Sequence, residues 1–232
     1  MEKIISVISA DAQSQALLQE VSGRSNDYIK YLNMEDSGNG SFDELTLTNK
    51  LKNSTLVIIV TSKCTEYSAK LAFYCKSSLK LLVLGVLPDV DAAKQFAQYA
   101  DSATVRDNGA DVELLAVMMQ KVLSVRGQVN IDIGDMRAVL SNSGLFYYGY
   151  GIAEGKERCI DAVDIAVRDI DAKPRNIITV VSSSQNGSFK LCELAAMNSH
   201  LTEKFGKCDL IWGTNTDNTL NQKVGVFMLL GE

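Results

Sequence analysis

The sequence predicts an α/β fold, and three observations predict it. Short apolar runs alternate with amphipathic stretches along the whole chain, the pattern of helices layered on a sheet. Two runs in the first half, Thr55–Thr61 and Leu81–Leu87, are apolar almost throughout, as parallel strands covered on both faces are. The 232 residues, 46% apolar and 22% charged, suit a globular chain with an ample core.

In order, Ile4–Ser9 is a buried strand, followed by a helix over Ala12–Val21 with Ala16, Leu17, Leu18 and Val21 as its apolar stripe. Tyr28–Leu32 is a second strand, and Glu35–Ser41, with Gly38, Asn39 and Gly40, is a turn cluster. A helix over Phe42–Lys52 leads into the strand Thr55–Thr61, and a helix over Tyr67–Ser77 into the strand ending at Leu87, stopped by Pro88. Ala92–Tyr99 is helical and Ser102–Val105 a short strand. A longer helix over Ala110–Val125 carries Val112, Leu115, Met119 and Val122 at core spacing. Beyond it come a strand over Gly144–Tyr150, a helix over Gly155–Arg168, a strand over Asn176–Ser183 and a helix over Phe189–Phe205. Cys208–Thr214 and Lys223–Leu230 are expected to form an antiparallel pair joined by the turn-rich Asn215–Asn221.

A net charge of -5 argues against nucleic acid and against direct contact with an anionic membrane, since both need clustered cations. No apolar run is long enough to span a bilayer, and Met1-Glu2-Lys3 leads straight into the first strand, so a cytoplasmic location is expected. The five cysteines (Cys64, Cys75, Cys159, Cys192, Cys208) contain no C-x-x-C pair and read as reduced, mostly packed thiols. With His200 the only histidine, and expected as a surface or capping residue, no metal is implied. Gly149-Tyr150-Gly151 with Gly155 imitates a dinucleotide fingerprint but lacks the third glycine and the acidic partner, so a strand end turning into a helix is the better reading. Ser182-Ser183-Ser184-Gln185-Asn186-Gly187 has no histidine nearby in sequence and makes a poor nucleophile site.

The most informative stretch runs from Val129 to Arg158. It reads Asn130-Ile131-Asp132-Ile133-Gly134-Asp135, then Met136–Leu140, then the aromatic Gly144–Gly151. This block resembles the middle of FtsZ, of the tubulin superfamily, while Ile211–Asn215 resembles its Ile-Gly-Thr strand end and Val224–Gly231 its closing strand. The resemblance implies a Rossmann-like parallel-sheet half over 1–108, a long central helix over 109–128, and a smaller α+β half over 129–232. It also implies that Asn130, Asp132 and Asp135 reach, in trans, the nucleotide of a neighbouring subunit and position water there. The plain alternative is that Asp132 or Asn130 caps the following helix, contributing about 1 kcal/mol. Because a cap needs only one such residue, the three together favour function. From Ile4 to Asp107 only the order of elements matches, in a shortened version.

In the resembled family, glycine-rich loops after two strands hold the phosphates, because backbone N–H groups must come close to the ligand. Here the first loop reads Ser9-Ala10-Asp11-Ala12-Gln13-Ser14 and the second Ser62-Lys63-Cys64-Thr65-Glu66-Tyr67-Ser68, neither with glycine. Asp11 and Glu66 are expected to repel phosphate, bulky Tyr67 to block it, and Lys63 to offer a single point charge. The expectation is a degenerate FtsZ-like pseudo-GTPase that binds no cofactor and acts on an FtsZ-type filament or on itself. It would cap, regulate or join that filament, with a role in cell division carried by the resemblance alone. The alternatives are a nucleotide-independent self-assembling structural protein, and a GTPase with a remodelled pocket. Family members carry a tail past the last strand that recruits membrane anchors; with none after Glu232, any membrane association is expected to be indirect.

Overall fold

The computed structural model describes residues 4–34, 40–106, 108–124, 127–141, 143–185, 187 and 189–232. Gly38 and Asn39 of the expected turn cluster, Val125 at the expected helix end and Asn186 of the serine loop lie outside the described residues. The chain divides into two compact units, Met1–Gln120 with Leu140–Leu145, and Lys121–Val139 with Phe146–Glu232.

The first unit is a five-stranded sheet in the order β2-β1-β3-β4-β5. Its strands are β1 (Ile4–Ser9), β2 (Ile29–Asn33), β3 (Ser54–Val60), β4 (Leu82–Leu87) and β5 (Ser102–Val105), all paired in parallel. β1 and β4 are buried at every residue and β3 from Leu56 onward, which is why their sequences read as unbroken apolar runs. The helices are α1 (Ala12–Ser22), α2 (Glu44–Leu51), α3 (Glu66–Ser77), α4 (Val90–Phe96) and α5 (Gly109–Ser124), the last crossing into the second unit. Asp11, Asp43, Thr65 and Asp89 cap α1 to α4, each side chain accepting from a backbone N–H of the first turn. Along α5, Val112, Leu115, Met119 and Val122 are buried as their spacing predicts.

The second unit holds α6 (Ile133–Leu140) and a four-stranded sheet in the order β6-β9-β7-β8. Its strands are β6 (Phe146–Ala153), β7 (Asn176–Ser183), β8 (Asp209–Thr216) and β9 (Val224–Gly231). β8 and β9 do not pair, contrary to the expected hairpin. β9 lies antiparallel between β6 and β7, and β8 runs parallel to β7 at the edge. Burial explains the arrangement. β9 is apolar and buried at all of its residues and belongs inside the sheet, whereas β8 is half-exposed along most of its length, as an edge strand is. Helices α7 (Arg158–Ala166) and α8 (Leu191–Phe205) share one core with Ile177 and Val181 of β7 and Val224, Val226, Met228 and Leu230 of β9. α7 begins at Arg158 rather than Gly155, because Gly155 has a φ of 103° that ends the preceding turn and cannot enter a helix. Among the described residues, no helix is long and apolar enough to cross a membrane.

Candidate functional site

The acidic loop is held at both ends by its own polar groups. Asp132 Oδ1 accepts from the N–H groups of Gly134 (2.6 Å) and Asp135 (3.0 Å), while Asp135 Oδ2 accepts from the N–H of Asp132 (2.9 Å). This is a reciprocal capping box, and it starts α6 at Ile133. Asn130 Oδ1 accepts from the N–H of Gly127 at 3.0 Å and closes the turn before it. All three expected site residues are therefore brought together by local structure. The cap expected to need only one such residue uses both aspartates.

Strand β8 anchors the loop from beneath. Thr214 donates its backbone N–H to the Val129 carbonyl at 2.8 Å, and its Oγ1 accepts from the N–H groups of Gln128 and Val129. Gly213 lies against Ile131 so closely that a Cβ would stand 2.6 Å from Ile131 Cγ1, and a Cβ on Gly127 would stand 1.6 Å from the Thr214 carbonyl oxygen. Gly213 and Thr214, expected only as the end of a strand, are also the seat of the loop. Asn130 and Asp132 are exposed and Asp135 half-buried. Among the described residues, Asp132 Oδ2 and Asp135 Oδ1 have no hydrogen-bond partner, so each carboxylate keeps one oxygen for an outside group.

The two loops at the start of α1 and α3 contain no glycine, and several of their donors are engaged within the chain. Asp11 Oδ1 accepts from Ser14 N at 2.7 Å. Asp11 Oδ2 accepts from Ser62 N (2.7 Å), Ser62 Oγ (3.0 Å) and Thr61 Oγ1 (2.9 Å). Burial raises the Asp11 carboxyl pKa, but these hydrogen bonds together outweigh it and hold the group below its ordinary value. Asp11, expected as a repelling charge, instead accepts hydrogen bonds from both loops. At α3, Thr65 Oγ1 accepts from Ser68 N and Ser68 Oγ from Thr65 N, a second closed box. Tyr67 does not obstruct the loop as expected: its ring is buried edge-on to Phe42, and its hydroxyl donates to the Met34 carbonyl. Glu66 is exposed and paired with Lys70 at 2.7 Å. The spacings Asp11-x-x-Ser14 and Thr65-x-x-Ser68 carried the capping signal. The reach of Asp11 to Ser62 had no local signal. A cavity of about 770 Å³ beside α3 includes Cys64, Thr65 and Glu66 in its lining, but not Asp11, Thr61 or Ser62.

No family profile matches the chain. It is 26% identical to cell division protein FtsZ 1 of Methanocaldococcus jannaschii over 116 residues, 47% of this chain and 31% of that relative, less than a third of its length. In three dimensions, 99% of the chain superposes on 91% of the chain of an FtsZ W319Y mutant from M. jannaschii, with a TM-score of 0.70 and 14% identity. The fold is that of the FtsZ/tubulin superfamily. A GDP-form protofilament of TubZ from Bacillus thuringiensis serovar israelensis shows the same likeness at 10% identity, with a TM-score of 0.66 over 99% of this chain and 85% of that one.

Within this FtsZ-like fold the other candidate residues have structural work. Gly149 and Gly151 let β6 approach α7, since a Cβ on either would stand 1.8 or 2.0 Å from the carbonyl oxygen of Ala166 or Ala162. His200 is neither cap nor free surface group: half-buried on α8, its Nε2 lies 2.9 Å from Asp164 Oδ1, which Lys204 also reaches at 3.0 Å. In the serine loop, Ser184 Oγ bonds the Asn221 carbonyl and accepts from Gly187 N. Burial pushes the thiols of Cys75 and Cys159 up to about 12, whereas Cys192 is exposed. Among the described residues, no group of three or more His, Cys, Asp or Glu side chains is placed to hold a metal ion.

Proposed function

We propose that this chain is an FtsZ-like pseudo-GTPase that works by protein contact, as a cap, regulator or co-assembling subunit of an FtsZ-type filament. One observation carries the reading: the carboxylate of Asp11 accepts four hydrogen bonds from the loops that would otherwise receive phosphate. A phosphate bound there would have to displace a saturated, charge-assisted contact. The acidic loop is the complementary feature. Asn130, Asp132 and Asp135 stand on a rigid capped turn, and each aspartate holds one free oxygen toward a partner. A carboxylate so placed orients water on a partner's nucleotide if the partner brings it within hydrogen-bond reach.

Calorimetry with GTP and GDP on the metal-supplemented protein tests the first half. No heat of binding at millimolar nucleotide is expected, and saturable micromolar binding would give first place to a GTPase with a remodelled pocket. Co-sedimentation with an FtsZ-type filament protein tests the second. Binding that weakens in Asp135→Asn, which removes charge and leaves an acceptor for the cap, is expected. Absence of binding by the unmodified chain would sink the reading.

The likeness to a TubZ protofilament subunit favours a second reading, self-assembly, and the closed Asp11 contact favours assembly that needs no nucleotide. Concentration-dependent pelleting of the chain alone, unchanged by added GTP, would select it over the regulator.

A further inference from the structure

A helix cap needs one acceptor, and Asp11 supplies it with Oδ1 alone: that atom takes the Ser14 N–H, while Ser14 Oγ accepts the Asp11 N–H at 3.1 Å to complete the box. The second oxygen is not needed for α1. It is spent on three donors from one other segment, fifty and more positions along the chain: the Thr61 hydroxyl, the Ser62 hydroxyl and the Ser62 N–H. Thr61 is 2% exposed, and its hydroxyl also reaches the Lys63 carbonyl at 2.8 Å. Its one proton is therefore shared between Asp11 and that carbonyl, while Ser62 gives Asp11 its own two donors. Backbone and hydroxyl donors converging with a helix N-terminus on one negative group are the arrangement that recognises phosphate. Here the negative group belongs to the chain.

We infer that Asp11 is an internal anion, standing in for a free phosphate group, that latches the β1–α1 turn to the β3–α3 loop. The latch keeps both loops ordered with nothing bound, and it joins the carboxyl ends of β1 and β3, which pair side by side in the sheet. The inference rests on the reading that these loops hold no nucleotide phosphate. It adds what holds them instead. Asp11 is a positioning residue in this role and takes part in no chemistry.

Two substitutions separate a latch from a cap. Asp11→Asn keeps an acceptor for Ser14 N but places an amide, a donor, where Oδ2 received three hydrogen bonds. Hydrogen exchange should then show the Ser62 amide losing protection by tenfold or more while the Ser14 amide keeps most of its own. Equal loss at both amides, or loss at neither, would overturn the latch. Asp11→Ala removes the internal anion altogether. Its melting temperature in chloride should fall, and inorganic phosphate at matched ionic strength should restore it saturably by several degrees, with no such gain in the unmodified protein. A folded Asp11→Ala protein that responds to phosphate no more than the unmodified protein would leave Asp11 an ordinary cap and overturn the inference. Should Asp11→Ala fail to fold, the exchange pattern of Asp11→Asn decides alone. GTP binding by the unmodified protein would overturn the pseudo-GTPase reading without touching this exchange result, so the two failures are distinguishable.

Discussion

Asp132 and Asp135 hold each other's backbone: Asp132 Oδ1 accepts the Asp135 N–H at 3.0 Å, and Asp135 Oδ2 accepts the Asp132 N–H at 2.9 Å. Their spacing is therefore explained by the start of α6 before any partner is considered. Structure and function make different predictions for them. Asp132→Ala or Asp135→Ala should each cost about 1 kcal/mol in chemical denaturation, the worth of a cap. The two losses should not add, because either change breaks the same box. Asp→Asn at either position should cost less than Asp→Ala, since an acceptor remains. If the loop acts on a partner, the asparagine variants will lose that action while keeping their stability. Equal loss of both properties would reduce the loop to a cap.

Acid should loosen the same molecule in a predictable direction. Asp11 and Glu193 both ionise below their ordinary values of 3.8 and 4.5: at Asp11 hydrogen bonds overcome burial, and at Glu193 the Arg158 guanidinium is the largest cause. A carboxyl with a depressed folded pKa binds its proton more weakly folded than unfolded, so stability rises with pH between the two values. The contribution is complete above about pH 4 to 5 and is lost as pH falls through the folded values. Melting temperature followed from neutral pH downward should therefore drop on the acid side. The gap between the unmodified protein and Asp11→Asn should narrow there, because protonation removes what the substitution removes. Parallel curves would mean that Asp11 contributes no charge-dependent stability.

Much of the fold was legible because burial writes itself into single strands. β1, β3 and β4 are apolar along their buried lengths, and their predicted bounds lie within a residue or two of those observed. What was not legible depends on partners distant in sequence. The unpaired β8 and β9 look like a hairpin when only their separation is read, yet β9's complete burial requires a central place. Asp11 looked like a repelling charge because its acceptors' partners, Thr61 and Ser62, lie on another loop. At the acidic loop, the part that Thr214 plays in holding Gln128 and Val129 had no signal in the sequence. No local pattern ties the end of β8 to a turn more than eighty residues earlier.

Arg158 and Glu193 make the best-buried ion pair of the second unit among the described residues. Arg158 Nε and Nη2 reach the two Glu193 oxygens at 2.7 and 3.1 Å, and Nη1 donates to the Gln222 carbonyl at 2.8 Å. Their side chains are 9% and 15% exposed. Glu193 also accepts the Lys190 N–H that starts α8, so one pair ties α7, α8 and the approach to β9 together. Arg158→Met should cost about 3 kcal/mol, most of it from the uncompensated carboxylate left behind. Adding Glu193→Gln to that variant should cost much less than the same change alone. A double-mutant cycle in urea reads the difference, and additive losses would contradict the coupling.

Gly149 and Gly151 give the sharpest test of how the nucleotide-like glycine pattern should be read. A Cβ on Gly149 would stand 1.8 Å from the Ala166 carbonyl oxygen, and one on Gly151 2.0 Å from that of Ala162. Both obstacles are backbone of α7, so no side-chain rotation relieves them, and the helix itself must move off β6. Gly149→Ala should therefore cost about 3 kcal/mol or more, the upper range of overpacking. Gly144→Ala meets nothing within 4 Å and should stay near neutral. Thermal melts of the two variants side by side make the comparison internal. A pair of glycines retained for a ligand would predict small stability losses at both sites. A pair that sets the distance between a helix and a strand predicts a large loss at Gly149, with Gly144 unaffected, because of these two only Gly149 lacks the space for a methyl group.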